Sequence, residues 1–499
     1  MNHRRIYLAV AVCAVVVYIG SLWNGFAVDD AAIILFNPLM RSARGLVQAF
    51  VSPYWPAELG GKMYRPLPVM TFVGDALIRS TVWFHAANVL WHAGASVAVA
   101  ALARRLAGDN AALGAGLLFA AHPVHVEAVA NVVGRAELMA TLFAVLCVYA
   151  ALVRRDAIWS AVALAGGLLS KENAAVAPAL VAWGWLLAID RPPRKQMATM
   201  AGCWLVVAVV YGAARLAVLH PYGRFNAFAP VFAGLNPIAI RLTAIGAFAD
   251  VARLLVFPAT LRVEYTPLER TAILSPLDTG FLLGFGALMV WAVALILAWR
   301  RGRKVEAFGL GWLALAYLPV ANVLFPSGVF VAERTLYLPS VGFVLALATT
   351  LARLKPRDFA LVAGVLTVAG GVRSALRVPI WRDDRTVNLS ILQDSPQSYR
   401  GPARAGSMFQ NARQPAGALA AYRLSIQTYP LDAAVYVAAA DAAFTLGQVA
   451  LADTMLDLAN RICFRCSGQL RVQARSARSR GDGATADSLD ARAALLERQ

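Results

Sequence analysis

Apolar segments separated by short polar connections make up most of this chain. A helix needs roughly 20 predominantly apolar residues to cross a bilayer. Eleven segments have the composition of membrane-spanning helices, at residues 6–23, 82–103, 108–121, 137–153, 156–170, 174–190, 197–219, 279–299, 306–321, 336–353 and 357–378. The pattern predicts an all-α polytopic membrane protein with about 11 transmembrane helices in residues 1–381.

Clusters of arginine and lysine between these segments predict how the chain is oriented. They lie at residues 104–105, 154–155, 191–195, 300–304 and 353–357, all in connections on one side of the membrane. Because basic connections stay in the cytoplasm, the N-terminus is also expected there, with the first apolar segment as an uncleaved signal-anchor. The polar segments 24–81 and 220–278 then lie outside the cytoplasm.

Residues 236–258 are apolar but carry Arg241, Asp250 and Arg253. Three unpaired ions at membrane depth cost on the order of 8–10 kcal/mol. We therefore expect an extracytoplasmic helix that lies along the interface or dips into it, within the interfacial segment 220–278.

The chain after residue 381 is polar and repeats with a period of 34 residues. Alanine recurs at positions 418, 452 and 486, and glycine recurs at 447 and 481. A 34-residue helix-turn-helix period with small residues where helices cross is typical of tetratricopeptide repeats (TPR). We expect about three such units in an extracytoplasmic domain of residues 382–499, with a generic helical tail as the alternative.

Composition agrees with a membrane protein, since 59% of the residues are hydrophobic and only 15% are charged. The net charge of +18 belongs mostly to the basic connections, which predicts contact with lipid headgroups and no nucleic-acid partner. Cys463 and Cys466 are close enough in sequence for a local disulfide outside the cytoplasm. A zinc site is not expected there, because no second cysteine pair or nearby histidine completes four ligands.

Two adjacent carboxylates, Asp29 and Asp30, follow the first apolar segment directly. A carboxylate at this position can act as general base for a hydroxyl nucleophile or can bind a divalent cation. The alternative is an ordinary interfacial residue or a helix cap.

The segment 122–137 places ionisable side chains between two apolar segments. Such groups persist near a membrane where they line a cavity or bind a polar ligand. The segment contributes His122, His125, Glu127, Arg135 and Glu137. His122, His125 and Glu127 could ligate a metal, although their spacing differs from the zincin motif. Arg135 more plausibly offers a fixed cation to an anionic ligand, with the glutamates holding it.

Four cations are expected at headgroup depth on the same side of the membrane: Arg65, Arg135, Lys171 and Arg334. Arginine matches two phosphate oxygens with its planar fork. Glu172 adjoins Lys171, Glu333 adjoins Arg334, and Tyr337 follows Arg334 three positions later. The set predicts a pocket for a lipid-linked phosphate.

Several segments are similar to the transmembrane and TPR-containing O-mannosyltransferases, a family within the class C glycosyltransferases. The similar segments are VDD at 28–30, YRPLPVMTF at 64–72, HPVHVEAVANVVGRAELMA at 122–140, SKEN at 170–173 and AERTLYLPSVGF at 332–343. The repeats also follow the last apolar segment, as they do in that family. The resemblance covers nearly the whole chain and implies a class C glycosyltransferase-like helix bundle followed by a TPR-like domain.

The resemblance implies transfer of mannose from a polyprenyl-phosphate donor to Ser or Thr hydroxyls of an exported protein. Asp29 or Asp30 would be the base, and the residues of the phosphate pocket would bind the donor. No cofactor is expected, and a divalent cation is left open. The TPR-like domain would hold the protein acceptor. Frequent alanine and arginine favour a bacterial relative in the inner membrane, with the site in the periplasm.

Three other functions fit parts of the pattern. A class C glycosyltransferase could modify a lipid, a glycan or a cell-wall polymer through the same pocket. A transporter or flippase would also use charges at membrane depth, although the charges here cluster at one face. A membrane scaffold would recruit partners through its repeats.

Overall fold

The computed structural model describes residues 2–57, 61–222, 229–265, 267–462 and 467–498, and every regular element in them is a helix. The α-helices up to residue 377 are α1 His3–Tyr18, α2 Gly45–Gln48, α3 Pro66–Ile78, α4 Thr81–Ala121, α5 Val126–Ala130, α6 Arg135–Val148, α7 Ala157–Ser170, α8 Ala177–Leu186, α9 Arg194–Leu219, α10 Pro237–Val256, α11 Thr279–Arg300, α12 Lys304–Tyr317, α13 Tyr337–Leu351 and α14 Pro356–Arg377. Short 3-10 or π-helical turns lie at Ile19–Trp23, Ala31–Leu35, Pro38–Arg41, Ala49–Val51, Pro123–His125, Val132–Gly134, Tyr149–Arg154, Glu172–Val176, His220–Tyr222, Pro230–Phe232, Leu318–Val320, Glu333–Leu336 and Val378–Trp381.

The predicted all-α polytopic membrane architecture is confirmed. Seven helices in the described residues are long and apolar enough to cross a membrane. The 41-residue α4 contains two predicted segments, because it bends at Gly108, whose φ of 87° is open to glycine. Three more predicted segments fall on the shorter helices α7, α8 and α12. Helices thus lie at all eleven apolar segments, and the number of crossings stays a prediction.

Connections between the helices meet at two opposite ends of the bundle. At the arginine-rich end, Lys304 donates a hydrogen bond to the carbonyl of Ala188 at 3.4 Å. Gln196 donates to the carbonyl of Arg155 at the same end. The opposite end, which we call the site end, contains residues 24–30, 122–137, 171–173 and 328–336.

Two of the three charges of α10 belong to one ion-pair cluster. Asp250 is buried and accepts hydrogen bonds from Arg270 at 2.6 and 2.7 Å. Arg253 lies 3.7 Å from the same carboxylate. The cost expected for unpaired ions is therefore avoided for Asp250 and Arg253, whereas Arg241 donates to the carbonyls of Pro237 and Leu324 at 3.3 and 3.2 Å. The helix packs closely on α11, where a side chain at Gly284 would collide with the backbone of α10, and its interfacial position stays a prediction.

The polar segment 24–81 folds into short helical turns and the apolar helix α3. Pro66 begins α3, as the sequence indicates, and Arg65 occupies its N-cap position. Phe72 of α3 packs in a cluster with Phe84 of α4 and Val132. This cluster attaches the segment to the site end of the bundle.

The tail contains three helix hairpins that repeat at the interval expected from the sequence. After α15 Asp384–Asp394, its helices are α16 Arg400–Asn411, α17 Pro415–Thr428, α18 Ala433–Thr445, α19 Val449–Ile462, α20 Ser467–Ser479 and α21 Gly483–Arg498. The recurring alanines 418, 452 and 486 are fully buried. Gly447 and Gly481 turn two of the hairpins at positive φ, and Arg413 adopts the same conformation in the first. Cys463 and Cys466 lie outside the described residues, so their disulfide stays a prediction.

The tail is attached to the membrane part by polar contacts. Arg377 of α14 pairs with Asp394 at 2.5 Å. The hydroxyl of Ser395 donates to the carbonyl of Glu264 at 2.8 Å. The first hairpin therefore lies beside the site end of the bundle.

Candidate active site

The loop that carries Asp29 and Asp30 is held by residues that follow the last apolar segment. The amide of Val28 donates to Asp384 Oδ1 at 2.6 Å, and the amide of Gly25 donates to the carbonyl of Arg382 at 2.7 Å. Val28 has a φ of 56°, which is strained for a β-branched residue. Contacts from the far end of the chain thus determine the backbone around Asp29.

Asp29 and Asp30 have different environments. Asp30 is buried, and its two oxygens accept hydrogen bonds from the amides of Ala27 at 3.0 Å and Val133 at 2.9 Å. Asp29 is half-buried, and its carboxylate accepts no hydrogen bond within the described part of the chain. Asp30 therefore supports the loop, whereas Asp29 is available to a ligand.

Asp29 lines a cavity of about 180 Å³ between the membrane part and the tail. Glu127, Asn131 and Arg334 line the membrane side of this cavity, and Trp381 and residues of α15 form another part of its wall. We call it the Asp29 cavity. Two predicted site residues, Glu127 and Arg334, thus share one chamber with Asp29.

Glu127 holds Arg334 at two points. One oxygen accepts from the backbone amide of Arg334 at 2.8 Å, and the other from its guanidinium at 2.5 Å. Glu127 is 4% exposed and Arg334 is 36% exposed. The buried carboxylate therefore orients a guanidinium whose other side remains open to the cavity.

Lys171 and Glu137 form an ion pair near this chamber. Asn173 donates to the second oxygen of Glu137 at 2.9 Å, and Glu137 is 2% exposed. Neither Lys171 nor Glu137 lines the Asp29 cavity.

Arg65 and Glu172 form a second ion pair, in which two guanidinium nitrogens lie 3.0 and 3.1 Å from one carboxylate oxygen. Arg215 of α9 donates to the other oxygen at 2.9 Å. Burial opposes the ionisation of Glu172, but the two arginines outweigh it and lower the pKa of this carboxyl to about 2. Sequence reasoning missed Arg215, although an arginine inside an apolar helix was a signal.

Arg135 lies apart from the cavity. Its side chain is fully buried and pairs with Asp75. It also donates to Asn88 Oδ1 at 2.8 Å and to the carbonyl of Phe84 at 2.8 Å. The guanidinium lies over the ring of Phe72. These contacts occupy its donors, so the structure does not place Arg135 where the predicted phosphate pocket requires it.

His122 and His125 belong to a buried hydrogen-bond network. His122 contacts the carbonyl of Leu255 at 3.0 Å, and His125 contacts Ser340 Oγ at 2.8 Å. Tyr337 is also buried, and its hydroxyl lies 2.6 Å from His92 Nδ1. The network joins the segment 122–137 to α4 and α13.

The structure does not assemble His122, His125 and Glu127 as metal ligands, because Glu127 binds Arg334 while the imidazoles contact other helices. Within the residues described, no three histidine, cysteine, aspartate or glutamate side chains converge as a metal site requires.

Glu333 lies behind Arg334 and is 3% exposed. It accepts from the amide of Arg262 at 2.5 Å and from the hydroxyl of Tyr265 at 3.2 Å. Tyr265 lines the Asp29 cavity, whereas Glu333 does not. Glu333 therefore supports the cavity wall.

The tail contributes charges that sequence reasoning missed. Arg400 and Arg404 of α16 line the tail side of the Asp29 cavity. Glu264 of the membrane part also lines it. Arg400 lies 3.4 Å from Glu264. Nothing in the local sequence indicates that a polar repeat helix reaches the site end, so only the packing of the tail reveals these residues.

Comparison with curated proteins finds relatives named protein O-mannosyl-transferases. One from Caenorhabditis elegans is 30% identical over 353 residues, which cover 67% of this chain and 49% of that protein. Protein O-mannosyl-transferase TMTC3 of Homo sapiens is 29% identical over 389 residues, covering 70% of this chain and 42% of the relative. Protein O-mannosyl-transferase TMTC4 of Homo sapiens is 28% identical over 462 residues, which cover 78% of this chain and 62% of the relative.

The chain thus spans about half the length of the relatives it matches. No family model matches the chain. These relatives are animal proteins, so the bacterial source expected from composition stays a prediction.

Proposed function

We propose that this integral membrane protein is a protein O-mannosyl-transferase that moves mannose from a polyprenyl-phosphate donor to Ser or Thr hydroxyls. The names of its relatives support a mannosyltransferase that acts on proteins. The single observation that carries the proposal is a cavity lined by both Asp29 and Arg334, in which the Asp29 carboxylate accepts no hydrogen bond from the described residues.

In the proposed reaction, Asp29 accepts the proton of the acceptor hydroxyl as its oxygen attacks the anomeric carbon. The bond between that carbon and the phosphate oxygen breaks, and the electron pair leaves with the phosphate. Attack opposite the leaving group inverts the anomeric configuration. A positioned base of this kind accelerates such a step by about 10²–10⁴-fold.

Arg334 stabilises the negative charge that develops on the departing phosphate. Glu127 positions Arg334 through its two hydrogen bonds. Lys171 and Arg65 have a supporting role: Lys171 pairs with Glu137, and Arg65 shares Glu172 with Arg215, which leaves that cluster one net positive charge. The mechanism is written with the side chains of the chain alone, and a divalent cation at Asp29 and Asp30 stays a prediction.

The location of the site follows from the same proposal. The basic connections lie at the end of the bundle opposite the Asp29 cavity, and by the positive-inside rule this supports a cavity outside the cytoplasm. In a bacterial cell the protein would lie in the inner membrane, with the cavity and the repeats in the periplasm.

Transfer by the purified full chain tests the proposal directly. The protein is incubated with radiolabelled polyprenyl-phosphate mannose and an extract of exported proteins, and labelled residues are identified by mass spectrometry. We expect label on Ser or Thr, and a loss of at least about a hundredfold in rate for Asp29→Asn. Arg423→Gln, on the exposed face of α17, is the matched control.

Three results would contradict the proposal, two from this assay and one from a separate transport measurement. Label found in a lipid, a glycan or a cell-wall polymer, and not in protein, would show that the acceptor is not a protein. Uptake of a solute without any labelled product would favour a transporter. An unchanged rate for Asp29→Asn would remove the assigned base.

A further inference from the structure

A second cavity, of about 270 Å³, opens on the tail beside the Asp29 cavity. We call it the repeat cavity. Its wall contains Tyr399, Ser407, Tyr422 and Asp432 from the first and second hairpins. Arg400 and Arg404 line both cavities. The two arginines therefore form a junction between the repeats and the candidate active site.

The two arginines are neighbours on one face of α16, because residues four positions apart stack along a helix. Arg400 lies 3.4 Å from Glu264, which is longer than the 2.7–2.9 Å or so of a strong charge-assisted hydrogen bond. Arg404 is exposed and forms no ion pair with the residues that the structure describes. The junction therefore presents the guanidinium of Arg404 without an ion-pair partner among the described residues.

The one acidic side chain in the wall of the repeat cavity does not pair with Arg404. Asp432 accepts a hydrogen bond from the hydroxyl of Tyr399 at 2.9 Å with one oxygen. Its other oxygen accepts from the amide of Ala434 at 3.0 Å. Both oxygens are thus engaged away from Arg404.

We propose that this junction selects acceptor polypeptides with an acidic side chain close to the modified Ser or Thr, and that Arg404 pairs with that side chain. The inference rests on the proposed function and names a substrate class for it. The hydroxyls of Tyr399, Tyr422 and Ser407 donate within the protein, so it is as acceptors that their oxygens can bind the amides of a peptide backbone. A polypeptide lying there reaches Asp29 past the two arginines.

The donor phosphate is the other anion that could use Arg404. The membrane side of the Asp29 cavity already offers it Arg334, held by Glu127. Arg404 stands on the repeat domain, where the acceptor enters. Charge and position together favour the acceptor.

Peptide binding in the absence of donor tests the inference, because no turnover occurs. Two labelled peptides of equal length carry one Thr and, beside it, either Asp or Asn. Fluorescence anisotropy with the full chain measures both dissociation constants. We expect the Asp peptide to bind about fivefold more tightly, with the difference shrinking as salt is added.

Substitutions at the junction identify the residue responsible. Arg404→Gln is expected to bring the ratio of the two dissociation constants close to one, and Arg404→Lys to keep most of it. Arg404→Glu is expected to reverse the preference towards a peptide with Lys beside the Thr. Arg423→Gln removes an arginine outside both cavities and is expected to leave the ratio unchanged.

The outcomes separate the inference from the proposed function. Equal binding of both peptides to the unaltered protein, or a preference that survives Arg404→Gln, overturns the inference. A rise in the KM of the donor instead of the acceptor in Arg404→Gln also overturns it. Preferential binding of the acidic peptide without mannose transfer to either peptide overturns the proposed function alone.

Discussion

Adjacent residues at the site end have opposite roles because their hydrogen bonds differ. Asp29 and Asp30 share the same chemistry and the same loop. Asp30 has both oxygens bonded to backbone amides, whereas Asp29 faces the cavity. A similar division separates Arg334, open on one side, from Arg135, whose donors are occupied.

The burial of Asp30 leads us to expect that the stability of the protein depends on pH. Burial raises its pKa to about 7, although amides of the backbone donate to it. The unfolded carboxyl has a pKa of about 3.9. The folded state therefore binds this proton more tightly, and the stability from Asp30 is full below about pH 4 and is lost as the pH rises towards 7.

Thermal unfolding in detergent, followed by tryptophan fluorescence, checks this dependence. We expect the unfolding midpoint of the unaltered protein to fall more between about pH 4 and 7 than that of Asp30→Asn, which cannot titrate. Parallel curves for the two proteins would contradict the assignment.

Arg334 predicts a large effect on rate. Removing one preorganised donor typically costs about 3 kcal/mol of barrier, so Arg334→Ala should lose roughly a hundredfold in kcat. Arg334→Lys should recover part of it, since lysine keeps the charge but lacks the planar fork. Mannose transfer to a peptide measures both variants.

A control is needed because Arg334→Ala leaves the buried Glu127 without its partner, which is strongly destabilising. The double variant Glu127→Gln with Arg334→Met removes both charges together. A folded double variant with normal kcat would exclude the role of Arg334.

At the scale of elements, the segment 122–137 owes its shape to short helical turns braced from α4. The side-chain amide of Asn88 donates to the carbonyls of Val129, Asn131 and Val132 at 3.0–3.2 Å. These bonds satisfy carbonyls where the helices end. They hold Asn131 in the wall of the Asp29 cavity.

The close packing around Gly134 leads to a prediction about stability. A side chain there would overlap the backbone carbonyl of Ala128. Gly134→Ala should therefore destabilise the protein by about 1–3 kcal/mol, as overpacking does. Gly364→Ala is the matched control, because nothing lies near that position on α14.

Thermal unfolding midpoints of the two alanine variants test the expectation. Gly364→Ala should be neutral or slightly stabilising, since alanine favours a helix over glycine. Equal midpoints for both variants would show that the turn has more freedom than its contacts indicate.

At the scale of the whole molecule, the Asp29 cavity exists only where the membrane part and the tail meet. Pro230 and Glu264 precede the last helices of the bundle, whereas Arg400 and Arg404 belong to the first hairpin. The hydroxyl of Tyr429 donates to the carbonyl of Pro230 at 2.9 Å and helps to close this junction.

Tyr429 predicts that the position of the tail affects acceptor binding. Tyr429→Phe removes one hydrogen bond, worth about 1 kcal/mol, so the KM for a peptide acceptor should rise about fivefold. The KM for the donor should stay unchanged. Tyr436→Phe, in the core of the repeats, is the matched control. Steady-state kinetics with each substrate varied in turn measures both KM values. An unchanged KM for the peptide acceptor in Tyr429→Phe would contradict the prediction.

The sequence alone determined the helices, the period of the repeats and most of the charged residues near the site. Within a bilayer the backbone must bond inside its own segment, so a run of apolar residues is sufficient to predict a helix. The alanines at 418, 452 and 486 likewise predict buried crossings, because a repeat places equivalent residues in equivalent contacts.

Only the tertiary structure decided which charged groups face the cavity. Glu127 and Arg334 are 207 positions apart in the sequence. Asp384, which follows the last helix of the bundle in the sequence, accepts a hydrogen bond from the amide of Val28, next to Asp29. The role of an ionisable side chain depends on the groups within a few ångströms of it. Those groups come from distant parts of the chain, so no local pattern distinguishes Asp29 from Asp30 or reveals Arg404.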